Sequence, residues 1–433
     1  MRTMKESGIE WVKDIPSTWD VAYLSAVLSE RKHKNLGMKE NNLLSLSYGN
    51  VIRKDISTND GLLPESFEGY NVIEKDDIVL RLTDLQNDHR SLRTGLCKER
   101  GIITSAYCTL KKNSTKCDSR FLQYYLHSFD ICKGFYGMGA GVRQGLNYDG
   151  IRKIEIVLPP FAEQATIADC IVEKTEKVDA LIANQEAQIV KLKAYKQSLI
   201  TEVVTKGLDP NVPMKDSGVE WIEKIPEGWN AVPLKTLFDF GKGLPITKEN
   251  LVEEGIPVIS YGQIHAKWNS GVTIHEELKR FVNKEYLETN PSCLVKKGDF
   301  IIADTSEDRE GCGNAAYVDT DDTIFAGYHT VILISKKPNV DNKYLAYLFL
   351  TDAWRSQLRK RVSGIKVFSV SRKFLSETSV LIPDNASKMV ELLDEKCSHI
   401  DKLISIKQQK IERLNQYKKS IIYEYVTGKK EVQ

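Results

Sequence analysis

Residues Phe161 to Val204, FAEQATIADCIVEKTEKVDALIANQEAQIVKLKAYKQSLITEVV, decide how the rest of the chain is read, because the chain makes this stretch twice. A shift of 222 carries Val178, Leu181, Ile182, Ile189, Leu192, Tyr195, Leu199 and Val203 onto Ile400, Leu403, Ile404, Ile411, Leu414, Tyr417, Ile421 and Tyr425. Steps of three and four put these residues on one face of a helix, with Lys, Glu and Gln around the rest. Each copy therefore needs a partner for its apolar stripe, and the other copy is the obvious one. At 1.5 Å per residue, a helix of roughly 40 residues spans about 60 Å.

The duplication extends beyond the helices. Met4 to Val21, MKESGIEWVKDIPSTWDV, returns as Met214 to Ala231, MKDSGVEWIEKIPEGWNA, with 9 of 18 positions identical; Lys191–Gly207 and Arg413–Lys429 share 8 of 17. Between these landmarks each copy holds short strand-like runs and a helical patch. In the first copy these are NNLLSLSYGNV, DDIVLRLTD, ITSAYCTLK and FLQYYLHSF. In the second they are IPVISYGQI, GDFIIADTS, FAGYHTVILIS and YLAYLFLTDAW. Gly207, Pro210 and Pro213 close the first helix.

The expected architecture is α+β: two pseudo-repeated mixed α/β domains separated by two long antiparallel α-helices in a coiled coil. The expected boundaries are 1–160 and 208–383 for the domains, and 161–207 and 384–433 for the helices. Because the second copy opens with the motif that also opens the chain, the two ends are expected to lie together. Trp11, Trp19, Trp221 and Trp229 recur at matching places and are expected in the core.

Composition narrows the function. With 433 residues, 41% hydrophobic and 28% charged, the chain has room for two cores. No apolar run approaches the roughly 20 residues that cross a bilayer, and the first residues show no secretory signal, so a cytoplasmic protein with no membrane contact is expected. Eight scattered cysteines without a CxxC pair suggest reduced structural thiols. Histidines 33, 89, 127, 265, 275, 329 and 399 show no ligand spacing, and the chain has no GxGxxG in register and no phosphate-cradling loop. The LPPF at Leu158–Phe161 lacks the amide or carboxylate of an amino-methyltransferase motif. The Pro383-Asp384 and Asp394-Glu395-Lys396 echo of a nuclease motif falls in an amphipathic helix. No catalysis, cofactor or metal is expected.

Recognition remains. The net charge is only +2, but residues 81–153 hold 13 Lys/Arg against 6 Asp/Glu, and residues 355–373 hold 7 basic and no acidic residues. Two similar heads with unlike sequences suit duplex DNA, with basic side chains on phosphates and Arg, Asn or Gln on base edges. The candidate contacts in the first copy are Thr83, Gln86, Asn87, Arg90, Arg93, Arg143, Gln144, Arg152 and Lys153. In the second copy they are Lys267, Arg280, Arg309, Arg359, Lys360, Arg361, Lys366, Arg372 and Lys373. Two other readings remain open: a non-catalytic protein–protein scaffold with coiled-coil assembly helices, and a standalone nuclease or methyltransferase, which the missing motifs disfavour.

The repeated SGxEWxxxIPxxW opening, the GVRQGLNYDGIRKIEIVLPPFAEQ approach to the helix and the paired KxYKxSLIxExVTxG helix ends resemble the DNA-specificity subunit of type I restriction-modification systems. That resemblance covers the whole chain. It implies two target recognition domains that each read half of a split, asymmetric DNA sequence, with the helices setting the unread spacer. It further implies two modification (methyltransferase) subunits that methylate adenine with S-adenosylmethionine, restriction (translocase-nuclease) subunits that consume ATP and cleave, and no cofactor on the specificity chain itself. One departure stands out: SVLIPDNASKMVE replaces LPPFAEQ before the second helix, so that helix is expected to dock differently.

Overall fold

The computed structural model describes every residue except 1, 57–63, 65, 86–91, 139–144, 338–341, 363, 365–366 and 433. It divides into two compact units, Met1–Glu186 with Gln408–Gln433, and Ala187–Lys407. The long helices run Phe161–Lys206 and Ala386–Val426, and each unit holds a stretch of both.

Within each unit those stretches are antiparallel. In the first unit Lys418 Nζ donates to Asp179 at 2.7 Å, while Lys174, earlier in the first helix, lies 6.0 Å from the ring of Tyr425, later in the second. In the second unit Lys196 pairs with Asp401 at 2.7 Å, and the earlier Gln188 accepts from the later Lys407. Ile167, Ala168, Ile171 and Val178 share the first core with Ile421, Ile422, Tyr425 and Val426. Ile200, Val203 and Val204 share the second with Met389, Val390, Leu393 and Cys397. Glycines in the left-handed region, Gly207 at φ 84° and Gly428 at φ 70°, follow the two helix ends, where a side chain would be strained.

The apolar stripe is less completely covered than its spacing suggests. Leu181 and Tyr195 keep 47% and 59% of their surface exposed, and their copies Leu403 and Tyr417 keep 47% and 55%. The same two positions are uncovered in both repeats.

A shared frame holds the strands. In the first unit Asp20–Tyr23 pairs antiparallel with Glu155–Leu158, the strand that leads into the first long helix. In the second unit Asn230–Pro233 pairs the same way with Ser379–Ile382, ahead of the second helix. Each frame encloses a four-stranded sheet of one spatial order: Leu28–Glu30, Cys108–Lys112, Ile78–Leu80, Thr94–Leu96 in the first unit, and Phe238–Lys242, Thr330–Ser335, Phe300–Ala303, Ala315–Tyr317 in the second. The second unit adds a further four-stranded sheet with one parallel pair, Ile256–Ile259 beside Ile324–Ala326.

Several runs that look like single strands are broken by local chemistry. NNLLSLSYGNV is a hairpin, Leu44–Ser47 against Asn50–Arg53, because Tyr48 and Gly49 both take positive φ as a tight hairpin turn requires. IPVISYGQI is a strand to Ile259 followed by a helical turn, where Ser260 and Gln263 cap each other's backbone.

The four repeated tryptophans are core: Trp19 and Trp229 are buried, while Trp11 and Trp221 pack against the same two clusters. The chain ends meet in the first unit, where Arg2 pairs with Glu431 at 3.5 Å and Tyr423 Oη donates to the Trp11 carbonyl at 3.0 Å. Eight cysteines are free, and burial pushes the Cys97 thiol up to about 11 and Cys108 to about 12, which keeps them unreactive near neutral pH.

The second helix does dock through different polar groups. In the first unit Gln164 donates to the Pro159 carbonyl at 2.8 Å and accepts from Asp118 N at 3.0 Å, while Glu163 accepts from Trp19 Nε1 at 3.1 Å. Residue 164 plus the 222-residue shift is Ala386, which offers none of this. The second unit instead clamps its helix through Asp394, which takes Lys343 Nζ at 2.8 Å and the Tyr347 hydroxyl at 2.6 Å. That engagement also assigns Asp394 a structural role rather than the nuclease-like one its neighbours echo.

Candidate nucleic-acid interface

In the first unit the loop after Ile78–Leu80 is built around Arg93, which is a correction to its expected role. Arg93 is fully buried, not exposed to a ligand. Its Nη1 donates to the carbonyls of Arg81 and Thr83 at 3.0 and 2.8 Å, its Nη2 to that of Asp84 at 3.2 Å, and its Nε to the Tyr136 hydroxyl at 3.2 Å. A guanidinium that is spent on three loop carbonyls shapes the loop and cannot meet a phosphate. Thr83 is exposed on that loop; Gln86, Asn87 and Arg90 lie outside the described residues, as do Arg143 and Gln144. Arg152 and Lys153 are exposed where the chain approaches the first long helix, and Arg152 sits 3.5 Å from Asp149.

In the second unit the expected cations divide into tied and open ones. Arg309 donates to the Arg359 carbonyl at 3.0 and 2.7 Å, and Arg359 returns a bond to the Glu310 carbonyl at 2.9 Å and pairs with Asp352 at 2.9 Å. Those bonds fasten the loop that begins at Glu307 onto the helix Asp352–Arg359. Lys360 pairs with Glu220, Arg361 with Glu377 at 3.2 Å, and Arg280 donates to the carbonyls of Glu277 and Lys279. Lys267, Arg372 and Lys373 are exposed, and like Lys153 their side chains have no hydrogen-bond or ion-pair partner among the described residues. Lys366 lies outside the described residues.

The fastened loop forms one wall of a cleft of roughly 560 Å³, lined by Tyr261, His265, Ser306, Asp308, Asn314 and Arg355 among others. Tyr261 lies in edge contact with His265, Tyr328 and His329, at centroid separations of 6.2, 5.5 and 5.4 Å. Arg355 donates from Nε to the Phe349 carbonyl at 2.7 Å; burial, reinforced by Arg359, pulls its pKa down to about 10, so it remains a cation at neutral pH. Among the described residues no cluster of three His, Cys, Asp or Glu is placed to hold a metal ion. No helix of the described residues is long and apolar enough to cross a membrane.

Residues 226–416 match the family described as Type I restriction modification DNA specificity domain. That domain match and the relatives that follow all indicate a type I restriction-modification specificity subunit. As a specificity subunit it is a non-catalytic DNA-recognition component. It is similar to the type I restriction enzyme MjaVIII specificity subunit of Methanocaldococcus jannaschii, 24% identical over 335 residues, covering 76% of this chain and 75% of that protein. A second protein of the same organism, the putative type I restriction enzyme MjaX specificity subunit, is 25% identical over 335 residues, covering 74% and 70%.

Two solved structures share the fold. One comes from work on complex assembly and conformational transition of the type I restriction-modification system; it has a TM-score of 0.69 and 15% identity, and the match covers 95% of this chain and 98% of that one. The other, an HsdS subunit from Thermoanaerobacter tengcongensis, has a TM-score of 0.50 and 14% identity, with 96% and 98% covered.

Reading the specificity subunit's sequence for DNA contacts favoured cations and passed over Tyr261, His265 and Asn314, which the fold brings to one cleft. Asn314 lies 49 residues from His265, and no periodicity links them. The only available signal was that Asn314 follows the polar loop already singled out for Arg309.

Proposed function

We propose that this specificity subunit reads a bipartite, asymmetric sequence in double-stranded DNA, one half through each unit. In doing so it directs adenine methylation by two modification subunits and ATP-dependent cleavage by restriction subunits, in the cytoplasm. Residues 1–160 and 208–383 act as the two target recognition domains, and residues 161–207 and 384–433 as the helices that set the unread spacer.

The observation that carries this reading is the repeated frame with unlike contents. Both units keep one strand order around the central sheet, yet the loops on that sheet differ: a carbonyl-bound Arg93 loop in one, an acidic, Arg309-fastened loop in the other. Two different readers on one repeated frame suit a ligand with two different half-sites. Leu181 with Tyr417 in the first unit, and Leu403 with Tyr195 in the second, support two docking places for copies of a single partner, since exposed Leu and Tyr at repeat-equivalent positions offer the same apolar anchor twice.

The test is enrichment of random duplexes by the chain together with a modification partner. The expected result is two short conserved blocks separated by a stretch of fixed length and free sequence. Recovery of one uninterrupted block would overturn the split reading. Salt-insensitive partner binding without DNA retention would favour the assembly scaffold instead.

A further inference from the structure

The cleft in the second unit holds a chain of hydrogen bonds whose direction is fixed from one end. His265 Nε2 lies 2.8 Å from the Thr305 carbonyl oxygen, which only accepts, so Nε2 carries the proton. In the neutral ring Nδ1 is then an acceptor, and the Asn314 amide nitrogen, 3.0 Å away, donates to it. The amide is thereby oriented: one N–H faces His265, and the second N–H and Oδ1 remain as an adjacent donor and acceptor. Among the described residues nothing donates to Asn314 Oδ1.

We propose that Asn314, oriented by His265, reads an adenine of the second half-site across its major-groove edge. Adenine presents an acceptor at N7 and a donor at N6, which an amide matches with two bonds. The acidic wall decides against other ligands. Glu307, Asp308 and Glu310 line the same cleft and repel a phosphate, and they disfavour guanine, whose N7 and O6 are both acceptors. An exocyclic amine suits them. Of the two bases with a major-groove amine, cytosine lacks the neighbouring acceptor that the amide N–H needs.

Gly311 leaves the His265 ring undisturbed: a Cβ there would come within 2.5 Å of Ser306 Oγ and 3.2 Å of His265 Cε1, so a side chain would crowd the ring that holds the amide. His265 is a positioning residue in this arrangement, and Asn314 the contacting one.

The assignment rests on the reading of the chain as a bipartite DNA reader, and the experiment separates the two. Random duplexes are enriched with the full chain and a modification partner, using wild type, Asn314→Ala, the near-isosteric Asn314→Asp, and His265→Phe. The expected outcome is an adenine at one position of one half-site in wild type. That preference falls about tenfold or more in Asn314→Ala and Asn314→Asp and weakens in His265→Phe, while the other half-site is recovered unchanged. An unchanged consensus at every position in both Asn314 variants would overturn the inference but leave the bipartite reading intact. A wild-type chain that enriches no bipartite sequence would overturn the underlying reading itself. A recovered first half-site also shows that each variant is folded and bound.

Discussion

The Lys418 ammonium sits 2.7 Å from the Asp179 carboxylate, and a second ion pair, Lys196 with Asp401 at 2.7 Å, is its image under the 222-residue shift. Two copies of one helix that pair antiparallel exchange partners in this way: the acid of each copy meets the lysine of the other. The repeat thus encodes its own pairing, because one Asp and one Lys, duplicated, make two bridges.

These pairs are half-exposed, so each contributes about 0.2–1 kcal/mol. Asp179→Lys places two ammonium groups together and should destabilise the first unit by about 1 kcal/mol, read from its urea midpoint. Adding Lys418→Asp should restore most of that loss. A double-variant loss equal to the sum of the two single-variant losses would mean that the two side chains do not interact.

Asp394 should matter more. Asp394→Ala takes the acceptor from the Tyr347 hydroxyl and one partner from Lys343 at a half-covered site, costing roughly 2 kcal/mol in the second unit. In the first unit Gln164→Ala should cost a similar amount, because Gln164 is only 2% exposed and serves Asp118 N and the Pro159 carbonyl. Denaturant titrations of each variant check both figures.

The stability of the first unit should also depend on pH through His127. Burial, with help from the Lys418 and Lys419 ammonium groups, pulls the His127 pKa down to about 4 from 6.5. The unfolded chain therefore binds a proton that the folded unit refuses between those values. The His127 contribution is complete above about pH 6.5 and is lost progressively as pH falls toward 4, a change on the order of 3 kcal/mol. In His127→Gln that part of the pH dependence should disappear, as unfolding measured at pH 7 and pH 4.5 will show.

Cations that look alike in the sequence should separate in DNA binding. Lys153→Ala, Lys267→Ala, Arg372→Ala and Lys373→Ala are each expected to lower affinity evenly across sequences and to reduce the log–log salt slope by about 0.9. Arg93→Ala should act on the fold instead: it removes a fully buried guanidinium together with its bonds to the carbonyls of Arg81, Thr83 and Asp84, and should destabilise the first unit by roughly 3 kcal/mol.

That contrast marks how far the sequence could be read. Periodicity and self-similarity are read along the chain itself, so the α+β architecture, the paired helices and the core tryptophans are legible in the sequence. Leu181 and Tyr195 show the limit even there, since helical spacing says which residues share a face but not how wide a strip of that face the partner covers. Arg93 and Asn314 show the larger limit. Whether an arginine in a polar loop points outward depends on which carbonyls the loop turns inward. Whether an asparagine can read a base depends on a histidine 49 residues away.

The independence of the two readers is tested most directly by exchanging residues 22–157 for those of another specificity subunit. The exchanged chain is predicted to enrich duplexes in which one block changes to the donor's and the other block and the spacing stay as they were. A change in both blocks, or in neither, would contradict the assignment of one half-site to each unit.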